Sequence, residues 1–420
     1  MPDEIMIPQK DKEVLRRLAE EVAEIAALPV HKQKAGLWTS LNNLRSARPM
    51  VLISQVCWNE MNVDNELTLQ TSHPWARGQE FGFRASLYKW RHMPDDMFFG
   101  DSFWSPLAIR STGFGIDEDV DIVKTDETSD VVSRHFNVQI RNPEDIEKIL
   151  MPVVTHNEKA TEAEYQTMSE LYKGIMPVKK VGRTHIWFAP WDNLIRWYGI
   201  KEAMMDMIDR PEMVNSAVSR VVDGYMAELD QLEKLNLLLL ETTGVGSGGY
   251  GNTSDLPGAG CDPGYARPHD LWGCSNAQIF SEVSPDMHWE FAIRHDMRWL
   301  ERWGLNYYGC CEPLDRKIHI LRRIPNLRKI SISPWADIDR AVENIGSDFV
   351  VSYKPNPAIL AEESWHPERA RAALRKVLER TGKKCHVEII LKDISTVRYK
   401  PQRLWEWSRI AMETAEEFSR

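Results

Sequence analysis

The stretch 306–317, NYYGCCEPLDRK, packs two thiols and a carboxylate into three consecutive positions. Cys310, Cys311 and Glu312 admit three chemistries: small buried hydrophobes, a redox pair, or ligands aimed into a site. On extended backbone, a spacing of two puts Cys310 and Glu312 on one face and Cys311 on the other. A one-residue slip in register exchanges Cys310 for Cys311 as the inward thiol. The chain has six cysteines in 420 residues and no C-x-x-C pair, so free thiols in a reducing compartment fit better than a disulfide framework. Neighbouring Cys310 and Cys311 would form only a strained vicinal disulfide.

Other polar residues interrupt apolar runs. Glu241 ends NLLLLE, where it faces either a site or an ion-pair partner. His185, inside GRTHIWFA, is an acid–base group or a hydrogen-bonded core histidine. Lys354 and Asn356 close SYKPNP, and His386 and Glu388 alternate with apolar neighbours in HVEIIL. Of sixteen tryptophans, Trp58, Trp104 and Trp191 lie in the polar contexts CWNEM, DSFWSP and APWDN. Amphipathic aromatics of this kind suit the wall of a small-molecule pocket, with core packing as the rival.

The elements that must position these groups alternate. Apolar spacings of three and four predict helices between residues 10 and 47. Strands are expected at 50–56, 97–101, 182–189, 236–242, 305–311, 328–333, 348–354 and 386–391, with helices between most of them. Eight strands alternating with helices predict an α/β fold, a single (β/α)8 TIM barrel with its site at the strand C-terminal ends. A helical extension occupies 1–48 and the barrel 49–420. The glycine-rich segment 244–268 lacks the helix and acidic residue of a dinucleotide fingerprint and reads as a lid. A net charge of −10 without a basic run gives no footprint for nucleic acid. No apolar run is long enough for a membrane span, and the N-terminus carries no secretory signal, so a cytoplasmic location is expected.

Three stretches resemble the uroporphyrinogen decarboxylase superfamily. APWDNLIRWYGIKEAMMDMIDRPEMV is similar to its Ala-Pro-Trp segment, helix and Asp-x-Pro-Glu turn. SPDMHWEFAIRHDMRWLERWG is similar to its Ser-Pro-Glu-Met helix. FRASLYKWRHMPDDMFFGDSFW resembles its second-strand region, which implies that Asp101 takes the place of the decarboxylases' catalytic aspartate. The arginine-bearing stretch that holds uroporphyrinogen is replaced by SQVCWNEMN, with Glu60 and no arginine, so that tetrapyrrole is not the expected substrate. Against the superfamily's zinc methyltransferases, Cys310 falls on a ligand histidine, Glu312 on a ligand cysteine and Asp393 on the late cysteine. The resemblance therefore implies a Zn²⁺ site of Cys310, Glu312 and Asp393.

The expected activity is metal-assisted transfer of a methyl group from a small methoxylated or methylated compound to a corrinoid. Asp101 or Glu241 would protonate the leaving group. No Asp-x-His-x-x-Gly motif is present, so the corrinoid would arrive on a separate partner protein. Trp58, Trp104, His185, Trp191, Lys354 and Asn356 are the expected substrate contacts. Two alternatives are a corrinoid-independent decarboxylase or lyase for a small acid, and a non-catalytic small-molecule-binding barrel. The resemblance also allows a homodimer.

Overall fold

The computed structural model describes residues 5–124, 127, 132–241, 243–382 and 384–419. Helix α1 (Gln9–Ala26) forms because Val14, Leu15, Leu18, Ala19 and Val22 fall on one stripe, which packs with Ala76, Leu87, Met168 and Leu171. Helix α2 (Val30–Asn42) follows, anchored by Trp38, whose indole N–H donates to the Asp96 carbonyl at 2.9 Å.

The strands are β1 (Met50–Ile53), β2 (Phe103–Pro106), β3 (Ile109–Ser111), β4 (Val120–Val123), β5 (Ser133–Phe136) and β6 (Val154–His156), then β7 (Val178–Val181), β8 (Trp272–Ser275), β9 (Leu305–Tyr308), β10 (Leu327–Ile332), β11 (Val350–Tyr353) and β12 (His386–Leu391). Six of them make one parallel sheet in the order β1-β12-β11-β10-β9-β8. β2 pairs with β7 in parallel, and β3/β6 and β4/β5 are antiparallel pairs. The fold is thus α/β, built on a mostly parallel sheet with helices between its strands.

The closed ring expected from the strand count is not found among the described residues. At the β1 edge, carboxylates do the work of a neighbouring strand: Asp96 accepts from the Val51 N–H at 2.7 Å and Asp95 from the Ile53 N–H at 3.1 Å. The strand expected at 97–101 is accordingly absent, and regular pairing starts two residues later, at Phe103. The strands expected at 182–189 and 236–242 shrink to a single parallel bridge between Arg183 and Leu238; residue 242 lies outside the described residues. Strand β8 was not expected. Its Trp-Gly-Cys-Ser has little β propensity, and Gly273 is required because a Cβ there would collide with the Trp303 ring.

Alternation gives the sheet two unlike faces. Val51, Ile53, Ile330, Ile332, Val351, Val387, Ile389 and Leu391 join the main core with Leu404, Trp407 and Ala411 of the C-terminal helix Gln402–Glu417. The opposite face carries Tyr307, Lys329, Ser331, Ser352 and Glu388, all fully buried. It is covered by α2 and by the glycine-rich segment. That segment is a plug, not a lid: a Cβ on Gly246 would strike the Tyr307 ring and one on Gly249 the Trp38 ring. The Gly249 N–H donates to Glu388 at 3.2 Å, and the Ser247 hydroxyl meets the Tyr307 hydroxyl at 3.0 Å. Among the described residues, no helix is long and apolar enough to cross a membrane.

Candidate active site

The polar face ends in a row of side chains just past the strands: Asn276 after β8, Cys310 after β9, Ser333 after β10, Lys354 after β11 and Lys392 after β12. Gly309, at φ +98°, makes the turn that lifts Cys310 off β9. The Lys392 ammonium lies 3.2 Å from the Cys310 sulfur and 3.8 Å from that of Cys311, and the two sulfurs are 3.6 Å apart. Asp393, in the left-handed region at φ 56°, completes the group, its carboxylate 3.1 Å from Lys392 and 3.7 Å from the Cys311 sulfur. Cys310 and Lys392 are buried, whereas Cys311 is half-buried and Asp393 is open to solvent.

These contacts separate the two thiols. The hydrogen bond from Cys311 and, against the cost of burial, the Lys392 ammonium draw the Cys310 thiol down to about 7. The same hydrogen bond, with burial added, pushes Cys311 far up. Burial opposes the charge on Lys392, but the two sulfurs and Asp393 outweigh it and hold the ammonium charged. Lys392 and the Cys311 contact thus favour ionisation of the Cys310 thiol, with the Lys392 ammonium placed as its counter-ion.

Beneath it lies a second network. The Lys354 amine reaches the Tyr307 hydroxyl at 2.6 Å, the Ser352 hydroxyl at 2.6 Å and the Ser352 carbonyl at 3.0 Å. Burial, partly offset by Glu388 and reinforced by Lys392, takes this lysine down to about 7. Glu388 accepts from Lys329 at 2.8 Å and from the Ser352 hydroxyl at 2.5 Å. Burial would raise Glu388, but Lys329 and Lys354 hold it ionised.

The expected metal triad is not arranged as a ligand set. Glu312 is fully buried and turns its oxygens onto the backbone N–H groups of Ala277, at 3.1 Å, and Cys310, at 2.8 Å. Burial raises its pKa, despite those backbone bonds. Its job here is to clamp two strand ends together. Beside Cys310 and Asp393, the place of a cation is taken by Lys392. No group of three His, Cys, Asp or Glu side chains among the described residues is arranged to hold a metal ion. These donors do not fit Zn²⁺.

The remaining expected residues scatter. Asp101 is 87% exposed in its side chain and paired with Lys179 at 3.1 Å, which lowers its pKa; a loop that continues past 101 before β2 begins carries it to the surface. Trp191 is core, its indole N–H on the Phe291 carbonyl at 2.9 Å. Trp104 alternates outward on β2, beside Phe83, Phe99 and Met176 and away from Cys310. Trp58 sets its ring against the edges of Phe81 and Tyr88. Glu241 lines a cleft with Thr184, Thr243 and Trp272 that shares no residue with the cysteine cluster. Asn356 accepts from the Ala358 N–H at 3.0 Å, capping a turn. His386 is tied to the Ser46 hydroxyl at 2.8 Å. His185 approaches Cys274 at 3.8 Å, and burial takes it down to about 4. Glu60, buried, accepts from Thr396, Val397 and Tyr399 and fixes the loop after β12. So Cys310, Lys354 and Asp393 come together, and the unforeseen members are Lys392 as the central charge, Tyr307, Ser352 and Asn276. For Ser352 and Lys392 the signal was present: in VSYK and HVEIILK the polar residues fall on one alternating face of the strand.

The fold and the site define an α/β protein with a cysteine–lysine cluster at the C-terminal ends of a parallel sheet. No protein-family model and no curated protein matches the chain. Among solved structures it is similar to a methyltransferase from Methanosarcina mazei, with TM-score 0.50 and 12% identity over 91% of this chain and 97% of that one. At that identity the likeness is one of fold.

Proposed function

We propose that the protein is a methyltransferase acting on a small methoxylated or methylated compound, with Cys310 as the methyl-accepting nucleophile. The observation that supports this reading most is the Lys392 ammonium 3.2 Å from the Cys310 sulfur, with the Cys311 thiol on the other side. The Cys310 thiolate attacks the methyl carbon, the S–C bond forms as the bond from carbon to the leaving oxygen breaks, and the electron pair departs on oxygen. Lys392 gives its proton to that oxygen, so a neutral alcohol or phenol leaves. As the final methyl acceptor we propose a corrinoid on a separate partner protein, to which the methyl group would pass as the S–C bond breaks and its electron pair stays on the Cys310 sulfur. The surface position of Asp101 speaks against the decarboxylase alternative, which relied on that carboxylate.

The test is peptide mass spectrometry after incubation with methoxylated aromatic compounds. A methyl group should appear on Cys310, persist in Cys311→Ser, and disappear in Cys310→Ser. Methyl transfer undiminished in Cys310→Ser would remove the mechanism.

A further inference from the structure

At the same strand ends, several polar atoms are left without partners. Asn276 is 1% exposed, and neither its amide oxygen nor its amide nitrogen meets a hydrogen-bond partner among the described residues. The same holds for the Ser333 hydroxyl, in a residue also 1% exposed, and for Nδ1 of His185. Alternation turns Asn276 to the polar face with Trp272 and Cys274, and Ser333 with Lys329 and Ser331. His185 comes to the same face through Cys274.

Two hydrogen-bond links fix these groups relative to the reactive sulfur. The Glu312 carboxylate joins the N–H of Ala277, next to Asn276, to the N–H of Cys310. The Ser331 hydroxyl donates to the Cys310 carbonyl at 2.7 Å, which sets Ser333 two residues further along. A secluded polar group without a partner is costly, and a ligand that supplies the bonds removes that cost.

We propose that Asn276, Ser333 and His185 form the recognition subsite beside Cys310, taking an uncharged group that offers a hydrogen-bond donor and acceptor side by side, such as a carboxamide. The cluster already pairs its charges, Lys392 with Cys310 and Asp393, so a carboxylate or an ammonium on the substrate would have to compete with those pairs. The neutral amide of Asn276 matches a neutral amide edge, donor to acceptor and acceptor to donor. The assignment deepens the methyl-transfer reading, narrowing the substrate to a methylated compound with such an edge, and its test is separable from that reading.

The experiment is calorimetric titration of the full chain with para-methoxybenzamide and, separately, para-methoxybenzoate. The amide should bind, with the carboxylate at least about tenfold weaker. Asn276→Leu and Ser333→Ala should each weaken the amide, the first by at least about tenfold, with thermal unfolding confirming that both fold. Equal binding of the two probes, binding of neither, or an Asn276→Leu variant that binds like the parent overturns the subsite; the last would mean that ordered water alone satisfies these atoms. Asn276-dependent binding without methylation of Cys310 would sink the transfer reading alone, and methylation without Asn276 dependence would sink the subsite alone.

Discussion

Replacing Lys392 by methionine keeps the bulk of the side chain and deletes the one charge that touches both sulfurs. In the parent, Cys310 at about 7 is half ionised at neutral pH. An opposite charge at this range shifts a neighbouring group by roughly 1–3 pH units. The Cys311 hydrogen bond survives the substitution, while the burial cost is no longer opposed by the ammonium. The Cys310 midpoint should therefore rise to about 8–10, leaving about a tenth or less of the thiol ionised at pH 7. Methyl transfer at pH 7 should fall at least about fivefold from the lost thiolate alone, and recover only in part as pH rises through the new midpoint, because the proton donor to the leaving oxygen is also gone. The assay is ultraviolet thiolate absorbance against pH, taken as the difference between each protein and its Cys310→Ser derivative, alongside the pH–rate profile. Lys392→Arg should keep the thiol midpoint close to the parent's but lose rate, because a guanidinium keeps its charge and does not give up its proton. A Lys392→Met midpoint that stays in place or moves down would refute the counter-ion role.

Lys354 sits at about 7, below the ordinary lysine value of 10.5, so the unfolded chain binds the extra proton between those limits. The stability of the parent relative to Lys354→Met should therefore rise with pH from about 7 towards 10.5, which urea melts across that range would show. Glu312→Gln replaces a carboxylate that accepts two buried backbone N–H groups by an amide that can accept with one atom, and should cost about 1–3 kcal/mol in denaturant melts. Gly249→Ala pushes a methyl group into the Trp38 ring and should cost about 1–3 kcal/mol by the same measure. Metal analysis of purified protein should find zinc well below one equivalent; a full equivalent lost on Cys310→Ser would restore the metal reading.

Much of the architecture was readable because burial writes itself into pattern. The runs at 305–311, 328–333, 348–354 and 386–391 all contain strands, since β-branched and aromatic residues bounded by turns have few other places to go. The strand expected at 97–101 failed for a local reason: Asp95 and Asp96 use their carboxylates on the β1 backbone, a contact between side chain and main chain that no periodicity reveals. The site was legible in part. Cys310 stood out by its type and place, but Glu312 looked equally chemical, and its role as a backbone clamp depends on Ala277, 35 positions away. Lys392 adjoins Asp393 in sequence and reads as its ion-pair partner; that it also reaches two sulfurs 81 and 82 positions earlier is a fact of tertiary structure alone.

The threading of Gly246–Gly249 between Trp38, Tyr307 and Glu388 has a bearing on assembly. A ribosome finishes this segment long before it makes Glu388, the acceptor 139 residues downstream that holds the Gly249 N–H. Until that last strand arrives, the glycines have only half their mould. The floor under the reactive thiol is thus set late in synthesis, and chains stopped short of β12 should have no working centre.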